Sequence, residues 1–407
     1  MKNMPQRVSS LKQGKMDLYW AYENMQIIDK IIKKYKNKDI LVGQSIGICL
    51  QITKETAVLI LGLQQLGAKI FICPANPLST QEHIVSFLKE KEVKVYSKKG
   101  KTIDTFFRNM DMVLDNKPNI IVDDGGEFHK RALQINYKIF GGTEETTSGV
   151  NRLNAWHKKR ILKYPIIAVN QSRTKNLFDN RYGTGQSTID GILRTTGILL
   201  AGKRIIVCGY GWVGKGIANN AKGLGAKVIV TEIDPVNALE AFMDGFEVKP
   251  ISDTTSFGDI YITCTGQLKV IRREHIRTMK NGVILCNAGH FDVEIDMDYL
   301  NSEDNHPTTI RKNLKCFKIN KKNIYLLAEG RVINLVGGEG NSPEIMALSF
   351  ANQLLSIIHI SKNHNKLEPK VYKVPKKIET EIGILALKSF SIQIDNITKE
   401  QECYFYS

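Results

Sequence analysis

The residues able to do chemistry fall in short clusters. Gly209, Gly211 and Gly214 stand at the G-x-G-x-x-G spacing, after an apolar run at 205–208 and before a helical pattern. At that spacing the first glycine permits a tight turn, the second lets backbone approach a pyrophosphate, and the third lets helix pack closely on strand. Val213 lies in the same turn, where the free N–H groups and positive dipole end of a helix favour phosphate. An expected strand at 227–231 ends in Glu232, the position at which an acid binds the ribose hydroxyls of NAD and repels the extra phosphate of NADP. For the glycines alone, a βαβ unit without a nucleotide is the competing reading.

Carboxylates and a lysine form the second group. Asp123-Asp124-Gly125-Gly126 closes an apolar strand at 120–122, the end at which open α/β sheets place their ligand crevice. A glycine-assisted turn with solvated acids explains those four residues equally well. Lys175 and Asp179 stand at i and i+4, so on a helix their side chains meet, as surface ion pairs also do. Two further strand ends, Cys264-Thr265-Gly266 and Asn287-Ala288-Gly289-His290, should point at the dinucleotide.

Positioning these groups takes alternating strands and helices. Helical periodicity covers 18–35, with Trp20, Met25, Ile28, Ile31 and Ile32 available for one face, then 53–66, 103–114, 188–200 and 343–358. Strands are expected at 45–50, 69–73, 93–96, 120–122, 166–169, 260–263, 283–286, 324–327 and 332–335. Ser79 and Glu82 have capping-box spacing, and 143–148 should open a helix running to 162. Tyr182 to Ser187 reads as one joint between domains, and Gly337, Gly338 and Gly340 as a second. The expected fold is α/β: two doubly wound, Rossmann-like parallel-sheet domains with a cleft between them and a short helical tail. The substrate domain is expected at 1–182, with 343–368 returning to it, the NAD domain at 183–342, and the tail at 369–407.

Composition excludes several classes. The chain has 407 residues, 42% hydrophobic and 24% charged, enough for two cores. No apolar run reaches bilayer-spanning length and residues 1–15 lack a signal-peptide core, so a cytoplasmic enzyme without a membrane partner is expected. The seven cysteines are scattered without a C-x-x-C pair and the eight histidines show no ligand spacing, which predicts reduced thiols and no metal. The net charge of +16 is spread along the chain without a basic block, so nucleic acid is not an expected partner and the charge is free to steer an anionic small molecule.

Taken together, the clusters resemble the NAD-dependent S-adenosylhomocysteine hydrolase (adenosylhomocysteinase) family over nearly the whole chain. The resembling stretches are Asn76-Pro77-Leu78-Ser79-Thr80-Gln81, Asp123-Asp124-Gly125-Gly126, Glu144-Glu145-Thr146-Thr147, Thr174-Lys175 with Phe178-Asp179-Asn180, and the glycine motif. Thr231-Glu232-Ile233-Asp234-Pro235, Gly289-His290-Phe291-Asp292 and Leu327-Ala328-Glu329-Gly330-Arg331 complete the set, in family order. Tyr182-Gly183-Thr184-Gly185-Gln186-Ser187 and the compact length are similar to the shorter prokaryotic and archaeal branch.

The resemblance implies a reaction: bound NAD oxidises the ribose 3′-hydroxyl, the C4′ proton is removed, homocysteine leaves C5′, water adds, and the ketone is reduced again. It implies roles too. Lys175 is the base near the 3′-hydroxyl, oriented by Asp179; Asp124 is the carboxylate near C4′; Glu145 binds the ribose hydroxyls; His290 is the acid/base group on the 5′ side. Thr53 and Glu55 match positions that hold the base ring, while Asn180, Glu232 and Asn237 match cofactor positions. A homo-oligomer, tetramer or dimer, is expected on the same ground.

Two positions depart from the family pattern. Gln51 stands where the family has histidine in its Cys-Leu-His strand end, and Asn341 where it has the histidine of Gly-His-Pro. Both positions line the family's substrate site, and neither Gln nor Asn can shuttle protons near neutral pH. They support an alternative in which oxidation and 4′,5′-elimination proceed on another nucleoside or stop before hydration. A non-catalytic NAD- or nucleoside-binding regulator is the remaining alternative. Lys399 and Tyr404 stand near the C-terminus without the family's surrounding residues.

Overall fold

The computed structural model describes residues 4–97, 103–302, 305 and 307–406. Short β-branched runs alternate with amphipathic helices through most of this length, and the strands gather into two sheets. The first holds β1 (Ser45–Leu50), β2 (Lys69–Pro74), β3 (Lys94–Val95), β4 (Ile120–Asp123), β5 (Gly141–Glu144) and β6 (Ile166–Ala168). The second holds β7 (Arg204–Cys208), β8 (Lys227–Thr231), β9 (Glu247–Val248), β10 (Ile260–Thr263), β11 (Val283–Asn287), β12 (Thr308–Arg311), β13 (Leu314–Ile319) and β14 (Lys322–Leu327). From near the C-terminus, β15 (Val371–Lys373) pairs parallel with β6 and extends the first sheet, so part of segment 369–407 belongs to that layer.

The first sheet runs β15-β6-β5-β4-β1-β2-β3 and is parallel throughout. The second runs β12-β13-β14-β11-β10-β7-β8-β9. It is parallel except where β13 pairs antiparallel with both β12 and β14, so the expected all-parallel sheet is a mixed one. Strand order reverses between β4 and β1 in the first sheet and between β10 and β7 in the second. Ligand crevices open at such switch points. The two crevices meet in one cavity.

Several local expectations give way to tertiary context. The helix expected at 18–35 breaks at Met25 (φ −113°, ψ 39°) into Met4–Asn24 and Gln26–Tyr35; Met25, Ile28, Ile31 and Ile32 are buried, whereas Trp20 is 62% exposed. Ser79 does not cap the helix Glu82–Glu90, whose N-cap is Gln81. Gly141–Glu144 is a strand, and the next helix, Thr147–Lys158, starts after the side-chain cap Thr146. Two glycines give β5 no strand propensity of its own; pairing with β4 and β6 imposes it. The strand expected at 332–335 is a helical turn, Ile333–Val336. The joint at 182–187 is wound continuously, as a π segment Asn176–Gly183 running into the helix Thr184–Thr196, which ends at Gly197 rather than at 200.

The returning helix Pro343–Asn363 sits in the core of the first layer. Within Pro343–Lys366 it is long and apolar enough to cross a membrane, contrary to the expectation of no such run. Protein covers 72% of its most apolar window, which is the environment of a core helix.

Candidate active site

The cavity between the two crevices holds about 460 Å³. Gln51, Thr53 and Glu55 line it after β1, Asp124 after β4, and Glu145 after β5. Register explains the convergence: Cys49 pairs with Asp123 and Asp123 with Glu144, so Gln51, Asp124 and Glu145 emerge just past neighbouring strand ends.

Lys175 is the centre of the polar network and is 5% exposed. Its Nζ lies 2.9 Å from Asp179 Oδ2, 2.8 Å from Asn180 Oδ1, 3.1 Å from Asn170 Oδ1 and 3.7 Å from Glu145 Oε1. Burial is the largest influence on its pKa and pulls it down, but the Asp179 and Glu145 carboxylates outweigh it and hold the group above the usual lysine range. In this arrangement the carboxylates favour the charged form of Lys175. Burial raises the pKa of Glu145, partly offset by Lys175. Its oxygens accept from Ser349 Oγ and Gln353 Nε2, both fully buried on the returning helix.

At the other end, His290 Nδ1 stands 3.7 Å from Asp124 Oδ1, while Asp124 Oδ2 accepts from Gln51 Nε2 at 3.0 Å. Gln51 Oε1 accepts from Ser79 Oγ. The Ser79 hydroxyl expected to cap a helix thus braces Gln51 instead. Asn341 lines the cavity with its amide engaged: Nδ2 donates to Asp179 Oδ1. Glu55 is 2% exposed beside Thr53, with its Oε1 3.3 Å from Lys54 Nζ.

The second layer supplies a cradle for a dinucleotide. Gly209 has φ +107°, and a Cβ on Gly214 would stand 2.0 Å from Gly209 O, so both glycines are required by the turn itself. The helix Trp212–Gly223 begins at Gly211 without a side-chain cap, leaving first-turn N–H groups for an anion. A Cβ on Gly211 would meet nothing within 4 Å, which is room for a ligand. Gly211, Val213, Thr265 and Gly266 line the cavity. Glu232 and Asn237 are not part of that lining; the Glu232 carboxylate accepts from the N–H groups of Tyr210, Ile233 and Asp234. The glycine turn, the uncapped helix start and the Thr265–Gly266 turn fit NAD.

Asn287, expected on the cofactor, is fully buried and its amide serves the protein: Oδ1 accepts from Thr263 Oγ1 and Gly289 N, and Nδ2 donates to Phe291 O and Gly330 O. It shapes the turn that presents His290. Glu294, unnoticed in the sequence, holds the Thr265–Gly266 turn through three hydrogen bonds of 2.8 to 2.9 Å. Asn170, Ser349 and Gln353 were also missed. Asn170 follows β6 and carries the same strand-end signal as Asp124, while Ser349 and Gln353 are polar residues one helical turn apart in an apolar helix.

The structure also gathers Asp123, His129 and Glu144, with donor atoms within 4.8 Å of one another, although no sequence spacing suggested a metal. His129 Nε2 faces the Thr143 carbonyl and so carries the proton, leaving Nδ1 to accept from Tyr164 OH. With its lone pair engaged, the ring is a structural hydrogen-bonding group rather than a cation ligand.

Residues 5–134 match the model of S-adenosyl-L-homocysteine hydrolase, and residues 180–340 match the model of its NAD-binding domain. The chain belongs to the S-adenosyl-L-homocysteine hydrolase family. It is 48% identical over 400 residues to the adenosylhomocysteinase of Sulfolobus acidocaldarius, covering 98% of this chain and 96% of the relative. It is 45% identical over 397 residues to the S-inosyl-L-homocysteine hydrolase of Methanocaldococcus jannaschii, covering 97% of this chain and 96% of the relative. Family membership makes NAD the cofactor of the glycine-motif cradle. Relatives named for two different purines stand at similar identity, so the choice of base rests on the cavity's own residues.

Proposed function

We propose that this chain hydrolyses S-adenosyl-L-homocysteine, or a close S-nucleosyl-L-homocysteine, to nucleoside and homocysteine. The observation that carries this reading is a buried lysine, held by carboxylates, in a cavity that the dinucleotide cradle also lines. Bound NAD supplies the oxidation of the ribose 3′-hydroxyl and its reversal, so the reaction has no net redox change.

The remaining work falls to side chains. Lys175 in its neutral form takes the 3′-hydroxyl proton, with Asp179 and Asn180 directing Nζ and Glu145 binding the ribose hydroxyls. A ketone at C3′ acidifies C4′–H, and Asp124 is the carboxylate for that proton. The C5′–S bond then breaks, its electron pair leaving on sulfur, and His290 beside Asp124 provides a proton for the thiolate. Water adds back across C4′ and C5′, with hydroxyl to C5′ and the proton to C4′. Thr53 and Glu55 face the base ring; a buried carboxylate there accepts from a ring or exocyclic N–H. Gln51, engaged by Ser79 and Asp124, positions Asp124 without carrying protons.

That role for Gln51 favours a second reading, in which the reaction stops at the 4′,5′-unsaturated nucleoside. One experiment separates the two. The purified protein is incubated with S-adenosyl- and S-inosyl-L-homocysteine, following bound NADH by absorbance and products by mass spectrometry. Homocysteine with intact nucleoside supports hydrolysis, an unsaturated nucleoside supports the second reading, and no NADH with either substrate sinks both.

We further propose a cytoplasmic homo-oligomer. Support comes from the exposed apolar residues Val236, Leu239, Phe242 and Met243 on the helix Pro235–Met243. Light scattering on the wild type and on Phe242→Lys tests it; a monomeric wild type overturns it.

A further inference from the structure

The two connections between the layers, 176–187 and 337–342, cross at Asn341. Its Nδ2 donates to Asp179 Oδ1 and, at 3.2 Å, to Thr184 Oγ1. Its Oδ1 accepts from Ser187 Oγ at 2.6 Å and Asn334 Nδ2 at 3.3 Å. Gly183 makes the space, since a Cβ there would stand 2.9 Å from Asn341 Nδ2. The other oxygen of Asp179 is the one that holds Lys175 Nζ, at 2.9 Å. One carboxylate therefore spans the lysine and the crossing.

We propose that Asn341 is a positioning residue for Lys175: it anchors Asp179 from the second connection, and so makes alignment of the lysine conditional on the two connections being crossed. The orientation of its amide is not arbitrary. An ionised carboxylate can only accept, so Nδ2 must face Asp179, and Oδ1 must then face the donors Ser187 and Asn334. The second torsion of an aspartate side chain is broad, and a charge-assisted hydrogen bond on Oδ1 removes that freedom. An amide does not titrate, so Asn341 itself offers the same donor whatever the pH. Any rearrangement that parts the connections withdraws the donor from Asp179 and lets the lysine drift from its alignment. The inference rests on the proposed role of Lys175 as the base for the 3′-hydroxyl.

The test is a double-mutant cycle read on single-turnover formation of bound NADH with S-adenosyl-L-homocysteine. Asn341→Ala should slow this step about 10- to 100-fold, the scale of a misplaced reacting group, with KM and NAD content little changed. In an Asp179→Ala background the same substitution should cost less than about twofold, because its route of action is gone. The isosteric Asn341→Asp sets two carboxylates face to face, one of which must hold a proton. Its rate should fall as pH rises through that shared titration, a limb that Asn341→Ala lacks.

A second readout does not need turnover. The ε-carbon NMR resonance of Lys175, assigned by its absence in Lys175→Arg, should gain an inflection between roughly pH 5 and 9 in Asn341→Asp that the wild type lacks. Losses that multiply across the cycle, or no new inflection, overturn the proposal. A wild type that forms no NADH overturns the reading of function instead, while the NMR titration still decides the positioning.

Discussion

Lys175 and Asp179 meet at 2.9 Å although the chain between them changes from α to π winding at Asn176. The wider i→i+5 turn brings two successive residues, Asp179 and Asn180, over the lysine at once, with Asn180 Oδ1 at 2.8 Å. An α-helix would present one of them and turn the other aside. The π segment is therefore what converts an ordinary i,i+4 ion pair into a closed set of acceptors around one ammonium group.

The Asp179 carboxylate is the strongest of the influences that raise the Lys175 pKa. Asp179→Asn removes it, so the neutral form of Lys175 becomes available at lower pH. The rising limb of the pH–rate profile for bound NADH formation should move toward acid, even though the plateau drops from poorer alignment. An unmoved limb would mean that Lys175 is not the titrating base.

Asn170 Oδ1 accepts from both Lys175 Nζ and Asn180 Nδ2, at 3.1 Å each. Asn170→Leu should slow single-turnover oxidation by roughly 100-fold while leaving the NAD content near that of the wild type. A loss of less than threefold would remove Asn170 from the set.

A methyl group on Gly214 would collide with Gly209 O at 2.0 Å. Gly214→Ala should deform the turn in front of the helix Trp212–Gly223 and release the dinucleotide. Chromatographic assay of NAD in the purified variant, beside an unchanged far-ultraviolet circular dichroism spectrum, checks it. Full NAD occupancy would show that the cradle lies elsewhere.

His129 has its pKa pushed down to about 4 by burial, while Asp123 is pushed up to about 7, also by burial. The buried neutral imidazole contributes stability that is present above the unfolded value of 6.5 and is lost as pH falls through about 4. Asp123 has the opposite sign: its contribution is present below its unfolded value of 3.8 and is lost as pH rises through about 7. His129→Gln removes only the first dependence. The stability gap between wild type and variant, from urea midpoints, should therefore narrow by about 2 to 3 kcal/mol between pH 7 and pH 4. A gap independent of pH would contradict a neutral buried His129.

Gln353→Leu leaves one oxygen of the buried Glu145 carboxylate without its donor. An unsatisfied buried acceptor costs about 1 to 3 kcal/mol, which urea unfolding would register. No loss would show that Glu145 is protonated or solvated in the free protein.

Much of this protein was legible in the amino-acid order because much of it is local. The glycines at 209, 211 and 214 constrain a single turn, Asp124 ends its own strand, and Lys175 and Asp179 are four residues apart. Each signal is complete within a short window, so spacing and residue type suffice. Tertiary structure decided what depends on partners far along the chain. β5 is a strand because β4 and β6 flank it, not because Gly141 and Gly142 favour extension. Ser349 and Gln353 reach Glu145 across 204 and 208 residues, and Asn341 reaches Asp179 across 162. No window on the sequence contains both ends of such a bond. The charge state of Lys175 belongs to the same class: burial and the surrounding carboxylates act in opposite directions, and only their arrangement in space determines which prevails.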